Sequence, residues 1–211
     1  TLEVALPLEG ANAFSVVEHP NPDVDMVAIP IGSIINQSIR DGKQLFHAAL
    51  KLENIPADHE AWREFDHAQD VVMVGYPNGL WDSANNLPLV RKGITATSMR
   101  RRYNGADEFM VDMASFKGSS GSPVLVYEMN GFVDFKAKIQ HPNSWRFRLV
   151  GMLYAGPQYD EEGTAVLTKA IHVDVKTMMH LGYVIRSTQL RELSDEVLQL
   201  HDGGRLTGGR I

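Results

Sequence analysis

The chain has 211 residues, 44% of them hydrophobic and 22% charged, with a formal net charge of −6. That length suffices for one large all-β domain or two small ones, and the acidic balance argues against a nucleic-acid-binding surface as its main business. With no cysteine there is no disulfide framework or thiolate metal site, no apolar run approaches the roughly 18 to 20 residues of a membrane span, and no signal peptide opens the chain, so cytoplasm and periplasm both stay open.

Three short segments of strand character, 3–8, 14–19 and 25–31, are broken by Glu9-Gly10 and by Pro20-Asn21-Pro22. They predict a small antiparallel meander. Residues 32–70 are the least strand-like part of the chain. Leu45, Phe46, Ala49 and Leu50 have helical spacing, and Trp62 and Phe65 predict a second helical turn over 57–65. His59, Glu60, Asp66 and His67 cluster in this stretch without the i, i+4 histidine pair of a zinc-binding helix, so it reads as a solvated helix and no metal or other cofactor is expected.

From residue 69 onward strands recur, at 70–76, 87–97, 108–113, 122–127, 146–155 and 165–173. Six antiparallel strands closing on themselves make one small barrel. Arg100-Arg101-Arg102 stands just ahead of Tyr103-Asn104-Gly105, a strong turn signal. The basic run reads as a solvated hairpin tip, with recognition of an acidic substrate or partner as the alternative. Residues 174–181 turn helical. A further helix over 188–201 carries Leu190, Leu193, Val197, Leu198 and Leu200 ahead of a Gly203-Gly204 stop. Its apolar face needs cover, either from its own barrel or from a second copy in a homo-oligomer. A Gly-rich, mobile tail over 203–211 is expected to follow.

The stretch richest in chemistry runs from Asp112 through Gly118-Ser119-Ser120-Gly121-Ser122-Pro123 into the apolar run Val124-Leu125-Val126-Tyr127. A serine hydroxyl is a poor nucleophile unless its backbone is held in a tight turn, a base faces its oxygen and N–H groups point at the developing oxyanion. Glycines at 118 and 121 permit that turn, and the strand after Pro123 anchors it. The segment closely resembles the nucleophile loop of the chymotrypsin-like (trypsin-fold) serine proteases, particularly the bacterial HtrA-like branch, here without a PDZ domain. Two further segments add to the resemblance. Glu18-His19-Pro20-Asn21-Pro22-Asp23-Val24-Asp25, leading into Met26-Val27-Ala28-Ile29, looks like the turn and aspartate that open a buried strand in that family. Val74-Gly75-Tyr76-Pro77-Asn78-Gly79 with Gly93-Ile94-Thr95-Ala96 is similar to the opening hairpin of its second barrel. Together the likeness spans roughly 14–180, leaving out 33–68.

The resemblance implies an all-β fold of two six-stranded antiparallel barrels with a C-terminal helical extension. Residues 1–31 would be the second half of the first barrel, 32–68 the connection, 69–181 the second barrel and its helix, and 182–211 the extension and mobile tail. It implies a serine endopeptidase acting on peptide or protein substrates through a Ser-His-Asp triad and a covalent acyl-enzyme. Ser120 would be the nucleophile and Asp25, as a buried carboxylate, the triad acid, with Asp23 solvated. The N–H groups of Gly118 and Ser120 would form the oxyanion hole. Ala114 would lie at the base of the primary specificity pocket with Tyr154, Ala155, Gly156 and Ala165 as its walls. No carboxylate is in that set, so cleavage is expected after small or medium apolar residues.

The sequence also departs from the family. Only His19 precedes Asp25, and it belongs to the His-Pro turn rather than to the family's histidine context. The first barrel is three strands short, and unpaired edges are costly. Both departures lead to the expectation that the catalytic histidine and three strands precede residue 1. Ser119 replaces an aspartate that pairs with a new N-terminus in digestive members, so the loop must be ordered by other means. Ser122 stands where many members have glycine. A catalytically inactive protease-fold binding module is the alternative, and a hydrolase using Thr1 as an N-terminal nucleophile has only that residue in its favour.

Overall fold

The computed structural model describes residues 15–43, 48–167, 169–204 and 206, and across 158–178 the backbone alone. Thr1, the expected strand at 3–8, Phe14, the Leu45 and Phe46 pair and most of the tail after Gly204 lie outside the described residues. The chain divides into two compact units, one made of Thr1–Leu52 and Thr188–Ile211, the other of Glu53–Ser187.

In the first unit β1 (Val17–Glu18) pairs antiparallel with β2 (Val27–Ala28). Asn21 Oδ1 accepts the Asp23 N–H at 3.0 Å in the turn between them, which is what an asparagine in a proline-flanked turn does best. The strand expected over 25–31 is cut short, because α1 (Gly32–Arg40) takes over the backbone. The helix is held by its own side chains: Gln37 donates to Asp41 at 2.7 Å and accepts from Arg40 at 2.9 Å, while Ser38 Oγ donates to the Lys43 carbonyl at 2.9 Å. The expected C-terminal helix is present as α2 (Thr188–Asp202), followed by Gly204 at φ 67°, the left-handed conformation a helix stop needs. Leu193 is buried on its inner face. The helix packs on β1 and β2, so it covers the hairpin of its own unit.

The second unit is a closed antiparallel barrel. Its strands are β3 (Asp70–Gly75), β4 (Leu89–Thr95), β5 (Glu108–Asp112), β6 (Pro123–Glu128), β9 (Arg146–Ala155) and β12 (Leu181–Arg186), in the spatial order β12-β5-β4-β3-β6-β9. In β3 the residues Val71, Met73 and Gly75 are buried and alternate with outward neighbours, the period-two signature of a strand with one face in the core. The hairpin β7 (Gly131–Asp134) and β8 (Ile139–Pro142) is inserted before β9, and β10 (Gln158–Leu167) and β11 (Lys169–Met178) form a second two-stranded hairpin after it.

Two sequence expectations are corrected here. The sixth barrel strand is β12, not 165–173, and the segment 174–181 is not helical, since β11 runs to Met178 and β12 begins at Leu181. β12 pairs with β5 on one side and β9 on the other, so its Tyr183-Val184-Ile185 run satisfies both ladders at once. β10 and β11 pair only with each other. The barrel is filled by Val71, Met73, Phe109, Val111, Val124, Val126, Val150 and Val184, together with Trp62 from the 3-10 turn Ala61–Glu64 and Phe65 immediately after it. Two arginines are also buried. Arg186 donates to the Met99 carbonyl at 2.5 Å, lies 5.1 Å over the Trp62 ring and is 3.4 Å from Asp107; burial lowers its pKa and Asp107 pulls it back up. Arg146 pairs with Glu128 at 2.6 Å between the rings of Phe65 and Phe132.

Candidate active site

β5 ends at Asp112 and β6 begins at Pro123, and the residues between them make two consecutive tight turns. In the first, the Ser119 N–H donates to the Phe116 carbonyl at 3.0 Å with Gly118 at φ 81° in the third position. In the second, the Ser122 N–H donates to the Ser119 carbonyl at 3.1 Å with Gly121 at φ 82°. A positive φ at the third residue is the demand of a type II turn, and glycine meets it without strain. Ser120 is therefore raised on the corner of the second turn, and it is exposed. Among the described residues neither its N–H nor that of Gly118 is spent on an acceptor.

The loop is stitched down on both sides. The Gly121 N–H donates to the Leu153 carbonyl at 2.7 Å, and the Leu153 N–H returns to the Ser122 carbonyl at 2.9 Å. The Asn78 N–H, from the 3-10 turn Pro77–Gly79, donates to the Lys117 carbonyl at 2.8 Å. Ser120 Oγ donates to the Tyr154 carbonyl at 2.8 Å, so the residue expected as nucleophile and one expected pocket wall are brought into direct contact.

Beneath the loop lies a residue that sequence reasoning missed. Arg91, on β4, donates through Nη1 to the Ala114 carbonyl at 2.5 Å and to Ser119 Oγ at 3.0 Å. Ser119 is fully buried. Both acceptors are neutral, while Arg91 Nε and Nη2 are buried without a hydrogen-bond partner. Desolvation accordingly lowers the pKa of the guanidinium. Arg91 ties the base of the expected specificity pocket to the residue preceding Ser120, and so holds the loop where position 119 carries serine in place of aspartate.

The remaining pocket residues are placed as follows. Ala114 follows β5, Tyr154 and Ala155 end β9, Gly156 follows it, and all four are half-buried. The Tyr154 hydroxyl donates to Glu108 at 2.5 Å, and its ring lies 6.1 Å from that of Tyr183. Ala165 lies on β10 opposite Ile171, and its side chain is outside the described set.

Asp25 belongs to the other unit. The sequence suggests a buried carboxylate there, but Asp25 is exposed and makes no hydrogen bond or ion pair among the described residues. With β2 only two residues long, the inward position falls to Met26 instead. His19 is buried and has both ring nitrogens engaged. Nε2 meets the Gln189 carbonyl at 3.2 Å, which can only accept, and Nδ1 meets the Asn21 N–H at 3.1 Å, which can only donate. With the Asn21 carbonyl also 3.3 Å from Nδ1, the ring is a structural tie between the β1–β2 turn and α2. Among the described residues no imidazole is hydrogen-bonded to Ser120, and no group of three or more metal-ligating side chains could hold an ion.

Comparison of the chain with protein families, curated proteins and solved structures returns no match. Among the described residues no helix is long and apolar enough to cross a membrane.

Proposed function

We propose that this protein is a serine endopeptidase of the trypsin-like, two-barrel kind, with Ser120 as its nucleophile. The observation that carries the reading is an exposed serine on a tight turn between two left-handed glycines, with the N–H groups of Gly118 and Ser120 unspent among the described residues. In the reaction Ser120 Oγ gives up its bond to the Tyr154 carbonyl, attacks a peptide carbonyl and passes its proton to an imidazole. The two N–H groups take the oxyanion, the imidazolium returns the proton to the departing amine, and water hydrolyses the ester by the same route reversed. These are the steps of the chymotrypsin family, carried over to these positions by resemblance. The half-buried set Ala114, Tyr154, Ala155 and Gly156, with Ala165, favours small or medium apolar side chains, and a peptide-library profile led by Arg or Lys would overturn that specificity.

A fluorophosphonate probe tests the central claim on the intact protein. Labelling of Ser120, lost together with peptide cleavage in Ser120→Ala, is the expected result; labelling unchanged in that variant sinks it. One observation favours a second reading, a protease-fold binding module without catalysis: the Ser120 proton rests on a backbone carbonyl and the His19 imidazole is fully engaged. Peptide binding with neither labelling nor cleavage would select it. Self-association through α2, where Leu198 is half exposed, is checked by light scattering on the intact chain and on one ending at Ser187, whose masses should then differ by more than the helix.

A further inference from the structure

The chain is acidic overall, yet the barrel unit carries an open groove of about 690 Å³ lined by Arg63, Arg100, Arg101 and Arg102 with His59, His67 and a single carboxylate, Glu60. The basic run is therefore not a uniformly solvated tip. Arg100 is turned inward, its Nε donating to the Phe65 carbonyl at 3.0 Å and its Nη2 to the same oxygen, with the guanidinium 5.7 Å over the Phe135 ring. A carbonyl and a ring hold that charge in place without neutralising it. Arg102 is 3.7 Å from Asp107, which Arg186 also faces at 3.4 Å, so one carboxylate serves two guanidiniums. Arg63 pairs with Glu60 at 3.1 Å on an exposed rim, a contact of small worth in water. The Arg101 side chain and the imidazoles of His59 and His67 have no partner among the described residues.

We propose that this groove binds an acidic peptide segment, a short run of Asp and Glu whose carboxylates take the guanidinium fork of Arg101 and the remaining donors of Arg100 and Arg102. Arginine presents paired N–H donors that match a carboxylate, and such charge-assisted bonds are the strong class of surface hydrogen bond. Phosphate offers similar chemistry, but a nucleic acid is a poorer fit on two counts. The groove lining contains no Phe, Tyr or Trp ring on which a base could stack. A long phosphate run would also extend past the groove over a chain of net negative charge, whereas a short acidic peptide need only fill the groove. The volume falls within the range of about 300–1,000 Å³ typical of ligand sites.

The groove shares no residue with the nucleophile loop, so its occupancy can be measured without catalysis. The test uses the full chain carrying Ser120→Ala, which cannot consume the probe, and a fluorescein-labelled peptide of alternating Glu and Asp read by fluorescence anisotropy. Binding at low salt, about tenfold weaker with Arg101→Glu and only partly restored by Arg101→Lys, is the expected result. Raising salt to about 0.5 M should abolish it, as the screening length falls to a few ångströms. Thermal melting should not move in either Arg101 variant. No binding at low salt, binding indifferent to Arg101→Glu, or tighter binding of an oligothymidylate of equal length would each overturn the proposal. None of these outcomes bears on whether Ser120 is a nucleophile, which the fluorophosphonate decides separately.

Discussion

Gly75 has no space for a methyl group, because a Cβ there would fall inside the contact radius of Ser122 Oγ. The last residue of β3 is thus pressed against the residue that closes the serine turn, and the two positions are coupled. Gly75→Ala should cost about 1–3 kcal/mol of stability by overpacking. Ser122→Gly should return most of that loss in the double variant, a coupling read from urea unfolding of the four proteins in the cycle. Arg91 is coupled to the same loop through hydrogen bonds rather than through volume. Arg91→Met leaves the Ala114 carbonyl without its side-chain donor and the Ser119 hydroxyl with only the Phe116 N–H at 3.4 Å, at an expected cost of about 1–3 kcal/mol, and it should slow fluorophosphonate labelling of Ser120. Lysine cannot bridge both acceptors with one compact ammonium, so Arg91→Lys should recover only part of the rate. Ser119→Asp, which gives the guanidinium an anionic partner, should retain it. Full labelling in Arg91→Met would show that the loop is ordered without the arginine.

The connection between β3 and β4 is an example of a turn that titrates. Asp82 Oδ1 accepts the N–H groups of Ala84 and Asn85, each at 3.1 Å, and Oδ2 accepts the Asn85 amide at 2.8 Å. The Asn85 side chain, then its backbone N–H, holds the Asp82 carboxyl below its ordinary value. A depressed folded-state pKa means that the turn's contribution is complete above the unfolded-state value and is lost as pH falls through the lower, folded one. An NMR titration should place the Asp82 midpoint below that of an unperturbed aspartate, and Asn85→Ala should move it upward. Five of the six barrel strands were legible in the sequence as apolar or β-branched runs bounded by turn signals, as in β3, which Pro77-Asn78-Gly79 closes. The sixth was not. β12 is six residues long and ends on a buried arginine, while the longer apolar-looking 165–173 pairs outside the barrel. The turn glycines and Ser120 could be read locally, since a tight turn is a property of a few consecutive residues. Arg91 could not be, because its acceptors lie 23 and 28 residues away and only the closed barrel brings them together.

At the scale of the molecule, the two units differ in how the chain reaches them. The barrel unit is one continuous stretch, Glu53–Ser187, whereas the other draws on both ends of the chain. A protein consisting of residues 53–187 alone should unfold cooperatively, with Trp62 as buried as in the whole chain, because the core cluster lies entirely inside that stretch. Failure of that fragment to give a cooperative transition would show that the barrel depends on the other unit. Ending the chain at Ser187 should have the opposite selectivity, stripping amide protection from Val17, Glu18, Val27 and Ala28 while leaving that of the barrel strands. The bond from His19 Nε2 to the Gln189 carbonyl spans 170 residues, and that separation has a kinetic meaning. Closing so long a loop from an extended chain is entropically costly, but the cost falls once the intervening stretch has condensed into a barrel. On the ribosome the barrel strands are available before α2 has emerged, and β1 and β2 must wait for it. The β1–β2 hairpin is therefore covered by a helix made after the whole barrel, and pulse-labelled hydrogen exchange during refolding should find Val17 and Ala28 protected later than Val124 and Val150.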